Sequence, residues 1–458
     1  MNKSAKRYDF TPSFDLAGAG GEPPADAYTE LMMTVLRDLG PKNRSLISDG
    51  YEESLDYISR LLPLKIHKVA SDSEVWSWTA PKKWVVREAW VKKDGKVVVD
   101  FKDHPLHLVS YSVPFSGTLS FDELKEHLYF DSDRPAAIPY VYKYYRAGWG
   151  FSLPYDRFKK LGPGRYEVKV DTALVDDFVR VGESVLKGES EDSIILCAHL
   201  CHPGQCNDGL SGVAAGIALM RRLATLKSRR YTYRLVVCPE NIGSLCYLHK
   251  NQELIPTFKY GVFLEMLGNK NHLKLQRSKK GDTALDRAME RAMGALPAYG
   301  VGPFRKVVCN DEINFDGPGI SIPTVSVSRW PYPEYHTSDD DIRIISPRYQ
   351  KQSFDTVWDA LQILERDYRP KRRYKGNLFL SRYGLYEDLN NDDTIERVML
   401  AFEGDKTIQD IADELELPFE KVWDYAERFR QAGLVDAVWG EETPAPAKPA
   451  RRRVRKAA

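Results

Sequence analysis

The sequence SIILCAHLCHPGQCNDGLSG fills residues 193–212 and joins an apolar run to a cluster of polar side chains. Residues 193–198 form a short apolar run of the kind that is typical of a buried strand. The ten residues that follow, 199–208, contain two imidazoles, two thiols and a carboxylate, which are ligand types of zinc sites. The segment therefore predicts a buried strand that leads into a metal-binding loop.

Further apolar runs alternate with helical patterns along the rest of the chain. We expect strands at residues 193–198, 231–238, 260–266 and 323–328, and helices at residues 210–226, 282–296 and 347–368. Alternation of this kind is typical of a mostly parallel sheet that is covered by helices on both faces. The predicted fold class is α/β.

In open α/β sheets, ligands bind beyond the carboxyl ends of the strands, so the residues that follow each predicted strand are candidates. The four strand ends lead into imidazoles and carboxylates: His199, His202 and Asp208 after the first, Glu240 after the second, Glu265 at the third and His336 after the fourth. We expect these side chains to converge on one rim of the sheet.

This residue set is suited to a zinc hydrolase. Zinc takes imidazole nitrogen and carboxylate oxygen, and a catalytic site keeps one position for water. The metal brings the pKa of that water to about 7, and a nearby carboxylate takes its proton during attack. Glu240, which follows Pro239 at a strand end, is the predicted base.

Five motifs occur in the order seen in the co-catalytic zinc exopeptidases of peptidase clan MH. They are CAH at 197–199, NDGLSG at 207–212, PENIGS at 239–244, FLEMLG at 263–268 and YHTSDD at 335–340. Over about residues 26–439 the chain resembles most closely the bacterial aminopeptidase-like proteins once catalogued as a domain of unknown function. Those proteins combine a zinc-exopeptidase-like sheet with an inserted β-rich domain and a C-terminal winged helix.

The resemblance implies a role for each candidate residue. His199 or His202 would be the first metal ligand, and Asp208 the next, bridging in two-metal relatives. Glu240 matches the general base, and Glu265 and His336 match the remaining ligands. Tyr335, beside His336, would help to polarise a carbonyl group.

Two positions depart from the family pattern. Cys201 stands where clan members carry the aspartate that orients the imidazole, and Asn241 replaces a carboxylate that binds the second metal. We therefore expect one firmly held Zn2+, with room for a second.

Other interpretations of these residues stay open. His199 and His202 could be hydrogen-bonded structural histidines, and Glu240 could cap the following helix. Cys201 and Cys206 could form a structural zinc site with His202, although they lack the paired spacing typical of such sites.

Composition limits the class of protein. A length of 458 residues predicts two or three domains, and a net charge of +1 gives no overall attraction to nucleic acid or an anionic membrane. Six cysteines in so long a chain are too few for a disulfide scaffold, which favours a cytoplasmic protein. Residues 1–9 lack the apolar core of a signal peptide, and we expect no membrane-spanning helix.

Changes between helical and strand-like sequence patterns along the chain predict its domains. We expect an N-terminal arm at 1–25, an α/β catalytic domain at 26–65 and 145–385, and an inserted β-rich domain at 66–144. Three helices and a strand predict a winged-helix-like domain at 390–440, and a basic tail at 441–458 is expected to be disordered.

The winged-helix-like segment does not have the charge of a DNA-binding domain. Residues 391–440 contain 13 acidic and 5 basic side chains, whereas a helix that enters a DNA groove should be basic. We therefore expect contact within the chain or between the subunits of a homo-oligomer, with nucleic acid disfavoured.

The sequence thus predicts a zinc-dependent hydrolase that cleaves an amide bond of a small molecule. Because members of the resembled family are associated with surface-polysaccharide pathways, a modified sugar or aminoacyl conjugate rivals a peptide as substrate. The alternative is a ligand-sensing or scaffold protein that keeps the fold and engages a partner through its winged-helix-like domain.

Overall fold

The structure is a computed structural model that describes residues 25–387 and 393–439. The chain divides into two compact units, one up to Trp358 and the other from Asp359 onward. The predicted basic tail lies outside the described residues. So does the predicted N-terminal arm, except for Ala25, where the first helix begins.

The α-helices are α1 (Ala25–Leu39), α2 (Asp49–Ser59), α3 (Phe121–Leu124), α4 (Tyr155–Phe158), α5 (Leu210–Ala224), α6 (Ile242–Lys250), α7 (Ala284–Met293), α8 (Glu312–Phe315), α9 (Pro347–Arg366), α10 (Thr394–Leu400), α11 (Ile408–Leu415) and α12 (Phe419–Gln431). Short 3₁₀ helices occupy Pro105–His107, Lys125–His127, Gln252–Thr257, Ile342–Ile344 and Leu380–Tyr383.

The β-strands are β1 (Lys65–Ala70), β2 (Glu74–Val75), β3 (Trp78–Thr79), β4 (Lys83–Lys93), β5 (Lys96–Asp100), β6 (Phe115–Ser120), β7 (Leu128–Tyr129), β8 (Phe151–Ser152), β9 (Arg165–Val175), β10 (Phe178–Leu186), β11 (Ser193–His199), β12 (Thr232–Cys238), β13 (Phe258–Leu264), β14 (Leu273–Gln276), β15 (Tyr299–Gly302), β16 (Thr324–Ser328), β17 (Arg369–Arg372) and β18 (Val435–Val438).

The first unit is built on an eight-stranded sheet with the order β1-β10-β12-β11-β13-β16-β14-β15. Its four central strands, β12, β11, β13 and β16, run parallel to one another. The pairs β1–β10, β10–β12 and β14–β16 are antiparallel. The predicted mostly parallel sheet is confirmed, and its four central strands are those that the sequence indicated.

Burial explains why the central strands have continuous apolar runs. All seven residues of β11 are buried, which means that both faces of the strand are covered. Helix α5 packs against β11, β12 and β13, and thirteen of its fifteen residues are buried. The four central strands therefore end together at one protected edge, where the candidate residues lie.

A separate four-stranded antiparallel sheet has the order β5-β4-β9-β6. The predicted insertion, 66–144, does not match its limits. Strand β1 belongs to the large sheet, whereas β9, from the segment assigned to the catalytic domain, pairs along ten residues of β4. Local composition cannot distinguish the two sheets, because antiparallel strands of both have similar residues.

A buried polar network joins β1, β10 and β12 inside the large sheet. The Glu183 carboxylate lies 2.8 Å from His67 Nε2 and accepts hydrogen bonds of 2.7 Å from both Arg234 Nη1 and Tyr247 Oη. Burial alone would raise the pKa of Glu183, but these partners outweigh it and hold the pKa at about 2. The ionised carboxylate therefore stabilises the folded state.

We expect Glu183→Gln to lower the melting temperature at neutral pH and to flatten its dependence on acid. Because the folded pKa of about 2 lies below the usual 4.5, the stabilisation is present above pH 4.5 and is lost as the pH falls towards 2. The stabilisation lost is roughly 2 kcal/mol. Thermal unfolding across this range measures it, with the exposed Glu30→Gln as control. Parallel curves for wild type and Glu183→Gln would contradict the assignment.

The second unit contains α10, α11, α12 and an antiparallel pair, β17–β18. The three helices and β18 lie where the sequence predicts them. Thr407 caps α11 through a capping box with Asp410. Strand β17 was not predicted, and it pairs with β18 in the second unit, whereas the sequence assigns residues up to 385 to the α/β domain. The winged-helix interpretation stays a prediction.

Among residues 25–387 and 393–439, no helix has both the length and the apolar character needed to cross a bilayer.

Candidate metal centre

Five of the predicted side chains converge on the edge where the central strands end. Asp208 Oδ1 lies 3.2 Å from His199 Nε2. Asp208 Oδ2 lies 3.4 Å from His202 Nε2 and 3.1 Å from His336 Nε2. Glu240 Oε2 lies 3.6 Å from His202 Nε2. Two sets of ligand atoms each fall within 4.8 Å of one another: His199 with His202 and Glu240, and His202 with Asp208 and His336.

The loop that contains Asp208 depends on two glycines. A Cβ atom at Gly209 would lie 2.3 Å from the His199 ring, and one at Gly212 would lie 1.9 Å from the carbonyl oxygen of Leu264. Asn207 also ties the loop to the end of β13, since its side-chain oxygen accepts a hydrogen bond of 2.9 Å from Gly268. The NDGLSG motif therefore brings the ends of β11 and β13 close together.

Asp340 holds the same loop from the opposite side. Its carboxylate accepts hydrogen bonds from the backbone N–H groups of Cys206, Asn207 and Asp208, and from the Tyr332 hydroxyl. Burial raises the pKa of Asp340 to about 7, and the nearby charge of Asp208 contributes. This aspartate is therefore a positioning residue for Asp208.

Glu240 is placed by contacts of its own backbone and that of the next residue. Its N–H donates to Cys201 Sγ at 3.0 Å, and the N–H of Asn241 donates to Asp311 Oδ1 at 2.9 Å. Asn241 has a φ of +58°, a conformation rare for residues other than glycine. Burial raises the pKa of Glu240, and Asp208 raises it further.

Glu265 is completely buried at the end of β13 but belongs to neither ligand set. Its Oε2 accepts a hydrogen bond from Asn310 Nδ2, while Oε1 has no hydrogen-bond partner among the described residues. Its charge also raises the pKa of His199. Glu265 is therefore a buried carboxylate outside both ligand sets, hydrogen-bonded to Asn310.

Tyr335 links the centre to a neighbouring cavity of about 390 Å³. Its ring stacks on His336 with centroids 3.8 Å apart, and it lines the cavity together with Met266, Trp330 and Asn310. Burial and the nearby carboxylates raise the pKa of Tyr335. Its hydroxyl therefore keeps its proton at neutral pH and can act as a donor.

One protein-family model matches most of the first unit. A family model described as a domain of unknown function, DUF4910, matches residues 33–367. The chain belongs to this family. A Clostridium acetobutylicum protein, provisionally named for polysaccharide biosynthesis with an aminopeptidase-like domain, is 35% identical over 335 residues, 72% of this chain and 77% of that protein.

Solved structures show the same fold. A crystal structure from Clostridium acetobutylicum with a provisional peptidase name has a TM-score of 0.85 at 30% identity, covering 90% of this chain and 98% of the other. A zinc aminopeptidase from Bacillus subtilis has a TM-score of 0.56 at 14% identity, covering 74% and 95%. This DUF4910 chain therefore has the fold of the zinc aminopeptidases.

The geometry at Asp208 tests whether this family member fits a zinc ion. His199 Nε2, His336 Nε2 and Asp208 Oδ2 are buried and have no hydrogen-bond partner among the described residues. Their short contacts are therefore between atoms that do not bond to each other. Ligand atoms of a tetrahedral zinc site lie about 3.3 Å apart, because each is about 2.0–2.1 Å from the metal. The observed separations agree with that arrangement.

Charge around the centre fits a cation as well. Burial raises the pKa values of Glu240 and Glu265, and the negative charges of neighbouring carboxylates raise both values further. Burial lowers the pKa of His202 to about 3, which leaves a neutral imidazole able to bind metal. Burial lowers the pKa of His199 too, but Asp208 outweighs it and raises the pKa to about 10, so the carboxylates around this ring favour a positive charge that a bound cation would supply in place of the proton. A divalent cation would relieve this crowding of negative charge.

Residues that support the site but were not predicted as members of it include Arg44, Asp311, Asn310 and Asp340. Arg44 is buried and donates to backbone carbonyls of the loop at residues 200–208, and Asp311 holds the segment after Glu240. The Asn310–Asp311 pair stands before a short helix and has no strand-end signal. Cys201, predicted to replace an orienting aspartate, contacts Glu240, and His199 Nδ1 has no partner among the described residues.

Proposed function

We propose that this DUF4910 protein is a zinc-dependent hydrolase that cleaves an amide bond of a small peptide, aminoacyl or modified-sugar substrate. The observation that carries the proposal is the set of unpaired donor atoms around Asp208, which have the spacing of zinc ligands. The relatives support it, because their names refer to aminopeptidases and to polysaccharide biosynthesis. They favour hydrolysis over the ligand-sensing or scaffold alternative.

The two oxygens of Asp208 face different imidazoles. We propose that His202, His336 and Asp208 Oδ2 hold one firmly bound zinc, and that Asp208 Oδ1 with His199 and Glu265 would accept a second. In this arrangement His202 compensates for the carboxylate that Asn241 does not provide. The chemistry that zinc supplies when bound is polarisation of the amide carbonyl and acidification of water.

Glu240 and Tyr335 would act on the substrate directly. Glu240 Oε2, whose pKa is raised by burial, accepts a proton from the attacking water and passes it to the leaving amine. The Tyr335 hydroxyl, which keeps its proton, donates a hydrogen bond to the oxygen of the substrate carbonyl. The cavity beside Tyr335 would hold the group on one side of the scissile bond.

We expect the purified protein to contain zinc and to hydrolyse members of a panel of aminoacyl anilides and N-acylated amino sugars. Glu240→Gln should retain the firmly bound zinc, because His202, His336 and Asp208 are unchanged, while activity falls by about 10²–10⁴-fold, because the proton acceptor is lost. Metal analysis by mass spectrometry and initial rates measure both properties.

Glu334→Gln, which removes a carboxylate that belongs to neither ligand set, is the matched control and should leave rates unchanged. Zinc without turnover on the whole panel would disprove the hydrolase, and absence of zinc would disprove the centre.

A further inference from the structure

Four exposed aromatic side chains, Trp76, Trp78, Tyr142 and Tyr145, lie on the β2–β3 hairpin and on the segment after residue 140, and we name them the aromatic strip. Their exposed fractions are 42%, 40%, 50% and 57%. The rings of Trp78 and Tyr145 lie 6.2 Å apart, edge to face, and the Tyr145 hydroxyl donates to the Thr79 carbonyl at 3.0 Å. The hairpin β2–β3 and the segment after residue 140 therefore form one surface.

This surface is continuous with the metal centre. The Tyr140 N–H donates to the His336 carbonyl at 2.8 Å, and its ring lies edge-on to His202 and His336 with centroids 5.7 and 5.2 Å away. Tyr140 shares a hydroxyl hydrogen bond with Tyr144, which stacks on Tyr142 at 4.6 Å. A ligand that contacts Tyr142 would therefore lie close to the centre.

The hairpin holds Trp76 in a backbone conformation that is unfavourable for a bulky side chain. Val75 pairs with Trp78, so Trp76 is the first residue of a two-residue turn, and its φ is +52°. Turns of this kind favour asparagine or glycine there, and a bulky side chain with positive φ is unusual. The half-exposed indole lies edge-on to His249, with ring centroids 5.5 Å apart. Such strain at an exposed aromatic is typical of functional positions.

The chemistry of the strip fits a saccharide. Each ring has an apolar face, which carries negative charge density, and a polar edge from the indole N–H or the phenol hydroxyl. A sugar ring presents polarised C–H groups on its face and hydroxyls around its rim, which matches that pattern.

We propose that the aromatic strip binds the saccharide part of an amide-bearing glycan and places its amide at the metal centre. The second half of this statement rests on the proposed hydrolase function, and the first does not. The substrate class is therefore a glycan with an N-acyl or aminoacyl group rather than a free peptide.

Saccharide binding is tested by titrating the zinc-loaded, full-length Glu240→Gln protein with chitohexaose, cellohexaose and mannohexaose, using calorimetry. We expect saturable binding of at least one hexasaccharide, weakened tenfold or more by adding Trp76→Ala and Trp78→Ala. Adding Phe379→Ala and Tyr386→Ala, which remove two exposed aromatics of the second unit, should not change the affinity. No binding of any of the three, or equal binding by the strip variant, would overturn the proposal.

A second variant guards against misfolding. Trp76→Gly suits the positive φ, so this protein should melt at least as high as its parent and still bind the hexasaccharide more weakly. If sedimentation instead shows a dimer that the strip substitutions dissociate, the strip is a subunit interface and the proposal is wrong. Hydrolysis of anilides without saccharide binding would leave the proposed function intact and refute the strip alone. Saccharide binding without hydrolysis of any panel member would support the strip and refute the proposed hydrolase function.

Discussion

Asp208→Asn is expected to lower the affinity of the protein for zinc by more than about 100-fold. Loss of a residue that only hydrogen-bonds to a metal ligand typically lowers the affinity by less than this. Both Asp208 oxygens contact imidazoles, one oxygen in each of the two proposed zinc sites, and the neutral amide of asparagine cannot replace two anionic oxygens. Zinc content after dialysis against a calibrated chelator measures the loss. Amide hydrolysis should fall in parallel.

Asp339→Asn is the matched control for this prediction. Asp339 lies in the loop after His336, but it forms an ion pair with Arg134 at 2.7 Å and is partly exposed. We expect the Asp339→Asn variant to bind zinc with the affinity of the wild type. If Asp208→Asn keeps its zinc while unfolding normally, the ligand sets assigned here are incorrect.

Arg44→Met is expected to lower the free energy of unfolding by more than about 3 kcal/mol, because several buried carbonyls lose their donor at once. The Arg44 guanidinium is fully buried, and burial lowers its pKa to about 10. It donates to five backbone carbonyls: those of Leu39, Gly40, Leu200, His202 and Gln205. Chemical denaturation measures the effect.

Because three of those carbonyls belong to the loop between β11 and Asp208, Arg44→Met should also weaken zinc binding. Arg37→Met is its control, since Arg37 is exposed on α1 and pairs only with Glu30. We expect that change to alter stability by less than about 0.5 kcal/mol. A wild-type affinity for zinc in Arg44→Met would show that the loop keeps its shape without the arginine.

The elements of the sheet were predictable because their burial leaves a local pattern. Strands β11, β12, β13 and β16 are mostly buried runs of five to seven residues, and they alternate with helical segments, as in parallel sheets. The limits of the small sheet were not predictable, since β9 joins β4 from a distance of about 80 residues along the chain. Strand β17 was not predictable for the same reason, because its partner, β18, follows three helices later in the chain.

The sequence by itself determined the ligand types and the strand ends that bring them to one edge, because side-chain chemistry and strand order are local properties. Only the tertiary structure decided which imidazole faces which oxygen of Asp208, and that Arg44 and Asp340 fix the loop that contains it. Those contacts join residues 158 and 132 positions apart. No periodicity encodes contacts of that kind, since they form only when separate segments pack together.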